Sequence, residues 1–375
     1  MSRKLLILAA LAVLLPLSAV AYSQTGPYKI LQTVKVGGDG GFDYITADPA
    51  NRTLYVDRSG QPGHLYVYNL DTLAQVADIS GVSGHGAVVD DETGHGFATS
   101  RAITMFDAKT FAIIKTIPVE GNPDGYLNDA VNHRFYDLSH SEPNITVIDD
   151  KDGSILTTIN IGGAPEQAAS DGHGHIYVDV EDKAKIAVID ANTMKMTGTY
   201  DLSSKSSGCA GLAIDAKNNI LFAACRDHND MVILSATDGH IIDDLPIGQG
   251  CDGVVFNPAT MEAFSSQGDG TLTVIKENSP TSFSVEQTVH TPTGAKCLTL
   301  DTKTNHIYTD AAEYGPPPTP AAAPEAPPAA PPAAAAGAAP EGGRGGGPGG
   351  RGGFGGRGRR GPLVPGSFSI IVIGK

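Results

Sequence analysis

Tryptophan is absent from this 375-residue chain, and cysteine occurs only four times. Long apolar runs are absent beyond one, Leu5 to Leu15, which is short for a bilayer span of roughly 20 residues. No later segment is apolar enough to cross a membrane. Basic residues are scarce: 26 Lys and Arg face 41 Asp and Glu, for a net charge of −15. An acidic body keeps a protein soluble and argues against wholesale DNA binding. Helical periodicity is missing as well. The apolar runs are short, rich in β-branched and aromatic residues, and bounded by turn formers, which points to strands. No Ser sits in a nucleophile elbow. The loops GQGCDG and GGDGG lack the following helix that a phosphate cradle requires. Asp149 to Gly153 looks calcium-like but lacks the twelve-residue loop and its terminal Glu, so it reads as a turn.

What is present is a repeat. Residues 166–202 hold four short apolar runs, QAAS, HIYVDV, IAVIDA and KMTGTYDL, separated by turns at Asp171-Gly172 and Asn192-Thr193. Asp and Asn tolerate the backbone angles such turns demand. Four strands of this size cannot bury both faces alone, so copies must stack on them. An aromatic residue recurs at Tyr55, Phe97, Tyr136, Tyr177, Phe222, Phe264 and Tyr308, at spacings of 42, 39, 41, 45, 42 and 44. Asp48, Asp90, Asp129, Asp215, Asn257 and Asp301 each precede their aromatic by seven residues, and Asp171 precedes Tyr177 by six. A period near 40 with four strands per unit predicts a seven-bladed, all-β propeller of antiparallel blades. A long β-sandwich does not explain such regular spacing.

The ends of the chain fit that ring. Arg3, Lys4, the apolar run and Ala19-Val20-Ala21 read as a secretory signal over residues 1–21, cut before Tyr22. The mature protein is then periplasmic or extracellular, with no membrane span. Tyr28 to Val36 is a strand with no blade of its own, while blade seven is one strand short, so the N-terminal strand is expected to complete it and close the ring. The propeller occupies residues 22–314 and 367–375. Residues 315–366 interrupt blade seven as a disordered insert, first Pro/Ala-rich and then Gly/Arg-rich. Its Arg344, Arg351, Arg357, Arg359 and Arg360, with Phe354, suit a polyanion or single-stranded nucleic acid; the plainer reading is a solvated loop where insertions are tolerated.

In an oxidising compartment cysteines pair. Cys209 and Cys225 fall roughly opposite each other on one hairpin of blade five, which predicts a disulfide between them. Cys251 holds the repeat position of Cys209 one blade later, so Cys209–Cys251 is the alternative. Cys297 reads as a free, packed thiol.

With LYV at 54–56, IYVDVEDK at 176–183 and the units TVIDDKDGSILTTINIGG and AVIDANTMKMTGTYDL, the chain resembles the YVTN-repeat, YncE-like seven-bladed propellers of bacterial envelopes. The missing tryptophan sets it apart from WD-repeat and quinoprotein propellers. Tyr-Val-Thr-Asn appears nowhere intact, so the resemblance rests on the repeat as a whole. It implies an envelope or surface protein, with single-stranded DNA binding suggested for some relatives. Similar propellers include lactonases and dehydrogenase subunits, so the fold does not fix an activity.

Register locates the candidate site. Five residues before each turn acid or amide stand Asp43, His85, Asp124, Glu166, Ala210, Asp252 and Lys296. Their neighbours Gly84, Pro123 and Pro165 are small or apolar. Placed where each innermost strand begins, the seven form a ring at the mouth of the central channel. Crowded carboxylates should raise one another's pKa values while His85 and Lys296 offset them. A second series, Arg101, His140, Glu181 and Arg226, follows the aromatics by four residues; with Arg58 and His228 it predicts an outer, partly basic rim. Three readings follow. The ring binds an anionic or zwitterionic ligand, or an envelope partner, of a non-catalytic monomeric scaffold. Alternatively Asp43, Asp124 and Glu166 hold Ca²⁺ or another divalent cation through oxygen ligands, which with Asp252 and His85 gives a metal-assisted, lactonase-like hydrolase. In the third, the ring only seals the channel of a structural cell-surface protein. His173 and His175 read as surface residues.

Overall fold

A computed structural model describes residues 26–38, 40–316 and 361–375. The signal segment and the five insert arginines lie outside the described residues. Twenty-eight strands, β1 (Lys29–Lys35) to β28 (Ser369–Gly374), form seven four-stranded antiparallel sheets. Six blades run in simple sequence order, from β2 (Ile45–Asp48), β3 (Thr53–Arg58), β4 (His64–Asn69) and β5 (Gln75–Ser80) in blade one to β22 (Cys251–Asn257), β23 (Glu262–Gln267), β24 (Thr271–Ser279) and β25 (Ser282–His290) in blade six. Blade five begins with β18 (Cys209–Asp215) and β19 (Ile220–Cys225), and blade seven with β26 (Leu298–Asp301) and β27 (His306–Ala311). The seventh has the order β26-β27-β28-β1: the N-terminal strand is its outermost member, paired antiparallel with β28 from Lys29↔Gly374 to Lys35↔Ser369. The chain closes its own ring, as the surplus and the missing strand require.

The repeated aromatic residues explain the stacking. The buried apolar side chains divide into seven clusters, one at each seam between neighbouring blades. Each seam holds one of the recurring aromatics: Tyr55 and Phe97 beside blade two, Tyr136 and Tyr177 beside blade four, Phe222 and Phe264 beside blade six, Tyr308 at the closing seam. All seven are nearly or fully buried. At roughly 25 cal/mol per Å² of apolar area, seams of this kind supply most of the cohesion between blades.

The recurring acids shape the turn between the first two strands. Asp90 accepts the N–H groups of Glu92 (2.8 Å) and Thr93 (2.9 Å), and Asp171, Asp215, Asn257 and Asp301 accept in the same way. These turns pass through the left-handed region, at Arg52, His133, Asn219, Met261 and Asn305 among others. The side-chain acceptor offsets a conformation that non-glycine residues otherwise avoid. The same acids stitch blades together: Arg52 forks onto Asp301 (2.8 Å twice), and His133 reaches Asp90 (2.9 Å).

Cys209 and Cys225 face each other across β18 and β19 and form the disulfide, so the Cys209–Cys251 alternative is excluded. Cys251 and Cys297 are free and buried. Thr309 pairs with Leu298, so β27 runs back toward Lys296 and the chain enters the insert on the ring's face. The neck of the insert is a short ladder: Tyr314 bridges Leu363, Gly315 N–H donates to the Pro362 carbonyl (2.8 Å), and Val364 N–H donates to the Glu313 carbonyl (2.8 Å).

Candidate functional site

Each innermost strand starts on one face, so the residues at those starts converge around the channel mouth. There they join with two members of the second series to make a closed circuit of ion pairs. His85 Nδ1 lies 2.8 Å from Asp43 Oδ2 and 3.0 Å from Asp124 Oδ1. His140 places Nδ1 3.3 Å from Asp124 Oδ2 and Nε2 2.8 Å from Glu166 Oε2. Arg226 lies 3.6 Å from Glu166 and also binds Asp252. Lys296 binds Asp252 and, at 2.8 Å, Asp43. Four carboxylates thus alternate with four bases around the whole ring. Glu181 hangs on its outside, held by Arg226.

Ala210 is the one ring position without a charge, and its blade supplies Arg226 instead. The expected outer rim is therefore wrong for His140 and Arg226, which stand within the ring between its carboxylates. Arg101 is exposed and forms no ion pair among the described residues; in its blade His85 already bridges the carboxylates on both sides. Arg58 is also not at a rim. It is buried, donates to the carbonyls of Gly37 (2.9 Å), Gly38 (3.1 Å) and Gly40 (3.0 Å), and lies over the Phe368 ring, fastening the link from β1 to blade one. His228 is exposed and donates to the Lys205 carbonyl (2.6 Å). His173 and His175 are exposed, as expected. Asp43, Asp124 and Glu166 do not meet as an all-oxygen cluster, because an imidazole stands between each neighbouring two.

The channel under the ring is plugged, which sequence reasoning missed. Tyr44 of blade one donates to the Glu166 carbonyl of blade four (3.3 Å). Tyr126 packs edge-on against Tyr44, with ring centres 5.5 Å apart, and shares a hydrogen bond with Thr46 (2.5 Å). Gln167 Oε1 accepts the N–H groups of Leu212 (2.9 Å) and Val254 (3.1 Å), two blades at once. A Cβ at Gly86 would lie 2.6 Å from Tyr126, so this glycine makes room for the plug. The available signal was that Tyr44 and Gln167 directly follow the ring position, where four other blades carry Gly86, Gly125, Gly211 and Gly253. A cavity of about 140 Å³ lies among Tyr44, Thr46, Tyr126, Gln167, Val255 and Leu298.

The electrostatics follow from this crowding. Burial opposes charge on His85, but its bond to Asp43 and the charge of Asp124 prevail and raise it to about 9. The bond to Glu166 overcomes burial at His140 and also raises it to about 9. Burial lifts Asp124 to about 7, with Glu166 adding and the two imidazoles opposing. Behind the ring stand four almost wholly buried acids on second strands: Asp57, Asp137, Asp179 and Asp310. Burial raises Asp57 to about 7, Asp137 to about 8, and the other two well beyond the carboxylate range.

These directions set a pH dependence. His85, His140, Asp57 and Asp137 all hold protons more tightly folded than unfolded, so stability falls as pH rises. The histidine contribution is full below about pH 6.5 and is lost as pH climbs through about 9. The turn acids Asp90, Asp171 and Asp301 are lowered when folded, so their contribution is lost on acidification below about pH 4. Asp57 and Asp137 lose their contribution from about pH 4 upward, so the melting temperature should peak at about pH 4–5 and fall steadily to pH 9. His85→Gln/His140→Gln should flatten the alkaline part of the curve. A wild-type melting temperature that does not fall between pH 6.5 and 9 would contradict this assignment.

No family model matches the chain, and no curated protein matches it. Among solved structures 1615 chains match, the breadth expected of a fold shared by many functions. One, in the crystal structure of a mitotic checkpoint complex, superimposes with a TM-score of 0.65 at 11% identity, covering 82% of this chain and 95% of that chain. At that identity the likeness is one of fold alone.

Proposed function

We propose that this propeller is a non-catalytic binding or scaffold protein of the bacterial envelope, exported by its N-terminal signal and acting through the ring face. The observation that carries the reading is the closed circuit of alternating charges over a plugged channel. Holding eight ionisable groups in partial burial is costly, and such groups rarely repay that cost in stability alone. Their alternation suits an anionic or zwitterionic ligand, which can exchange partners with the circuit and leave no charge unpaired. The resemblance to YncE-like propellers supports the envelope setting. The neck opens on the same face, which supports a role for the insert's arginines in tethering a polyanion or single-stranded nucleic acid.

Two measurements test this on the mature chain. A thermal-shift panel of zwitterions and dicarboxylates should yield compounds that raise the melting temperature of the wild type but not of Lys296→Gln. Titration with a labelled oligo-deoxythymidine should weaken at least tenfold when residues 341–361 are deleted. A panel without a hit sinks the ring-face reading, and unchanged oligonucleotide binding removes the insert from it.

A further inference from the structure

Asp124 faces two imidazoles with its two oxygens: Oδ1 lies 3.0 Å from His85 Nδ1 and Oδ2 lies 3.3 Å from His140 Nδ1. A terminal carboxylate completes each half. Asp43 Oδ2 lies 2.8 Å from His85 Nδ1, and Glu166 Oε2 lies 2.8 Å from His140 Nε2. The donor atoms of Asp43, His85 and Asp124 fall within 4.8 Å of one another, and so do those of Asp124, His140 and Glu166. Ligands bound at about 2.0–2.2 Å stand roughly 3 Å apart when adjacent around an ion, so His85 Nδ1 with Asp43 and Asp124 already spans two edges of one shell. His140 meets Asp124 and Glu166 through different ring nitrogens, so its ring must turn to present one of them to an ion between the two carboxylates. Resting on the ring-face reading, we propose that this sector of the ring is a carboxylate-bridged pair of divalent metal sites, Asp43–His85–Asp124 and Asp124–His140–Glu166, with Asp124 shared.

The layer behind the ring supports a site built for cationic charge. Asp57 is fully buried, senses both His85 and Asp43, and its Oδ2 has no hydrogen-bond partner. Asp137 is fully buried, senses Asp124, and neither of its oxygens has a partner. A buried acid with at least one unpartnered oxygen thus stands behind each half of the pair, where outer carboxylates commonly tune a metal centre. The donor set names the metal class. One imidazole with carboxylate oxygens suits Zn²⁺, Mn²⁺ or Fe²⁺ better than Ca²⁺, which prefers oxygen alone. Two divalent ions add positive charge to the ring, beside Arg226 and Lys296. Loaded in this way, the face favours an anionic ligand.

The probes are Zn²⁺ and Mn²⁺ themselves, added to the chelator-stripped mature chain and counted by equilibrium dialysis with elemental analysis. Two ions per chain are expected in the wild type and in His173→Ala, which removes an imidazole away from the ring. His85→Gln and His140→Gln should each retain one ion, and Asp124→Asn neither. The Mn²⁺-loaded wild type should show the electron paramagnetic resonance signature of a coupled pair, and both His variants an isolated-ion spectrum. Near-ultraviolet circular dichroism identifies variants that have lost the fold, and the two His variants keep the question open if Asp124→Asn is among them. A stoichiometry below two in the wild type, or two ions retained without Asp124, overturns the proposal. Failure here with ligand shifts intact in the thermal panel leaves the ring-face reading standing; loss of both removes the two together.

Discussion

A chain that begins at Gly37, and so lacks β1, should not fold as a closed ring. β1 itself buries little, since most of its residues are exposed. Its removal matters because of what it covers. β28, SIIVIG, is buried along its whole length and would become an open edge. An apolar strand with unpaired backbone groups is a template for aggregation. Tyr28 would be lost as well. It packs edge-on against Phe264, 5.2 Å between ring centres, and its backbone exchanges two hydrogen bonds with Gln287, which ties blade seven to blade six. Burial of a large side chain contributes about 1.5–3 kcal/mol, and a whole protein is stable by only about 5–15 kcal/mol. The truncated chain should elute as aggregate in size-exclusion chromatography and show no cooperative melt. A monomeric, cooperatively unfolding truncation would mean that the other six blades and three strands suffice.

Replacing Arg226 with Met should lower stability by about 3 kcal/mol at pH 8, near the lower end for removing one partner of a buried pair. Its guanidinium serves Glu166, Glu181 and Asp252 together. Without it three acids crowd around an apolar side chain beside Ala210. Lysine should restore only part of the loss, because a point charge cannot fork between three carboxylates. The deficit should shrink as pH falls toward 4, since burial raises the Glu181 carboxyl and its protonated form no longer needs the cation. Urea unfolding of wild type, Arg226→Met and Arg226→Lys at pH 8 and pH 4.5 measures this directly. Equal midpoints at pH 8 would show that the circuit contributes nothing to stability.

The fold was legible because its determinants repeat. An aromatic residue every 40 or so residues marks the seams, and an acid before it marks the turn, so blade number and register could be counted. Register also placed Cys209 opposite Cys225 and brought the ring residues to one mouth. What register does not contain is the reach of a side chain. His140, Arg226 and Arg101 share one repeat position, yet the first two enter the ring and the third does not. The difference lies in partners: Arg226 pairs with Glu166 and Asp252 on either side of the uncharged Ala210 blade, whereas in the blade of Arg101 His85 already pairs with the carboxylates on both sides. The plug was hidden for a similar reason. Tyr44, Tyr126 and Gln167 bond across the channel to other blades, so the residue types beside the ring mark two of them but not the partners they reach. The fully buried Asp57 and Asp137 sit on strands whose alternation alone would read as ordinary β-structure.

The pairing of β1 with β28 joins the first and last strands of the described residues. At roughly 5–20 residues per second, a ribosome releases β28 about 20–70 s after β1. Throughout that interval the earliest strand has no partner, and the blades already made have no closed ring to belong to. Native closure therefore awaits synthesis of β28 whatever the speed of the individual blades. A chain halted a few residues early would resemble an unlatched bracelet, with an edge exposed at each end and every blade but the last complete.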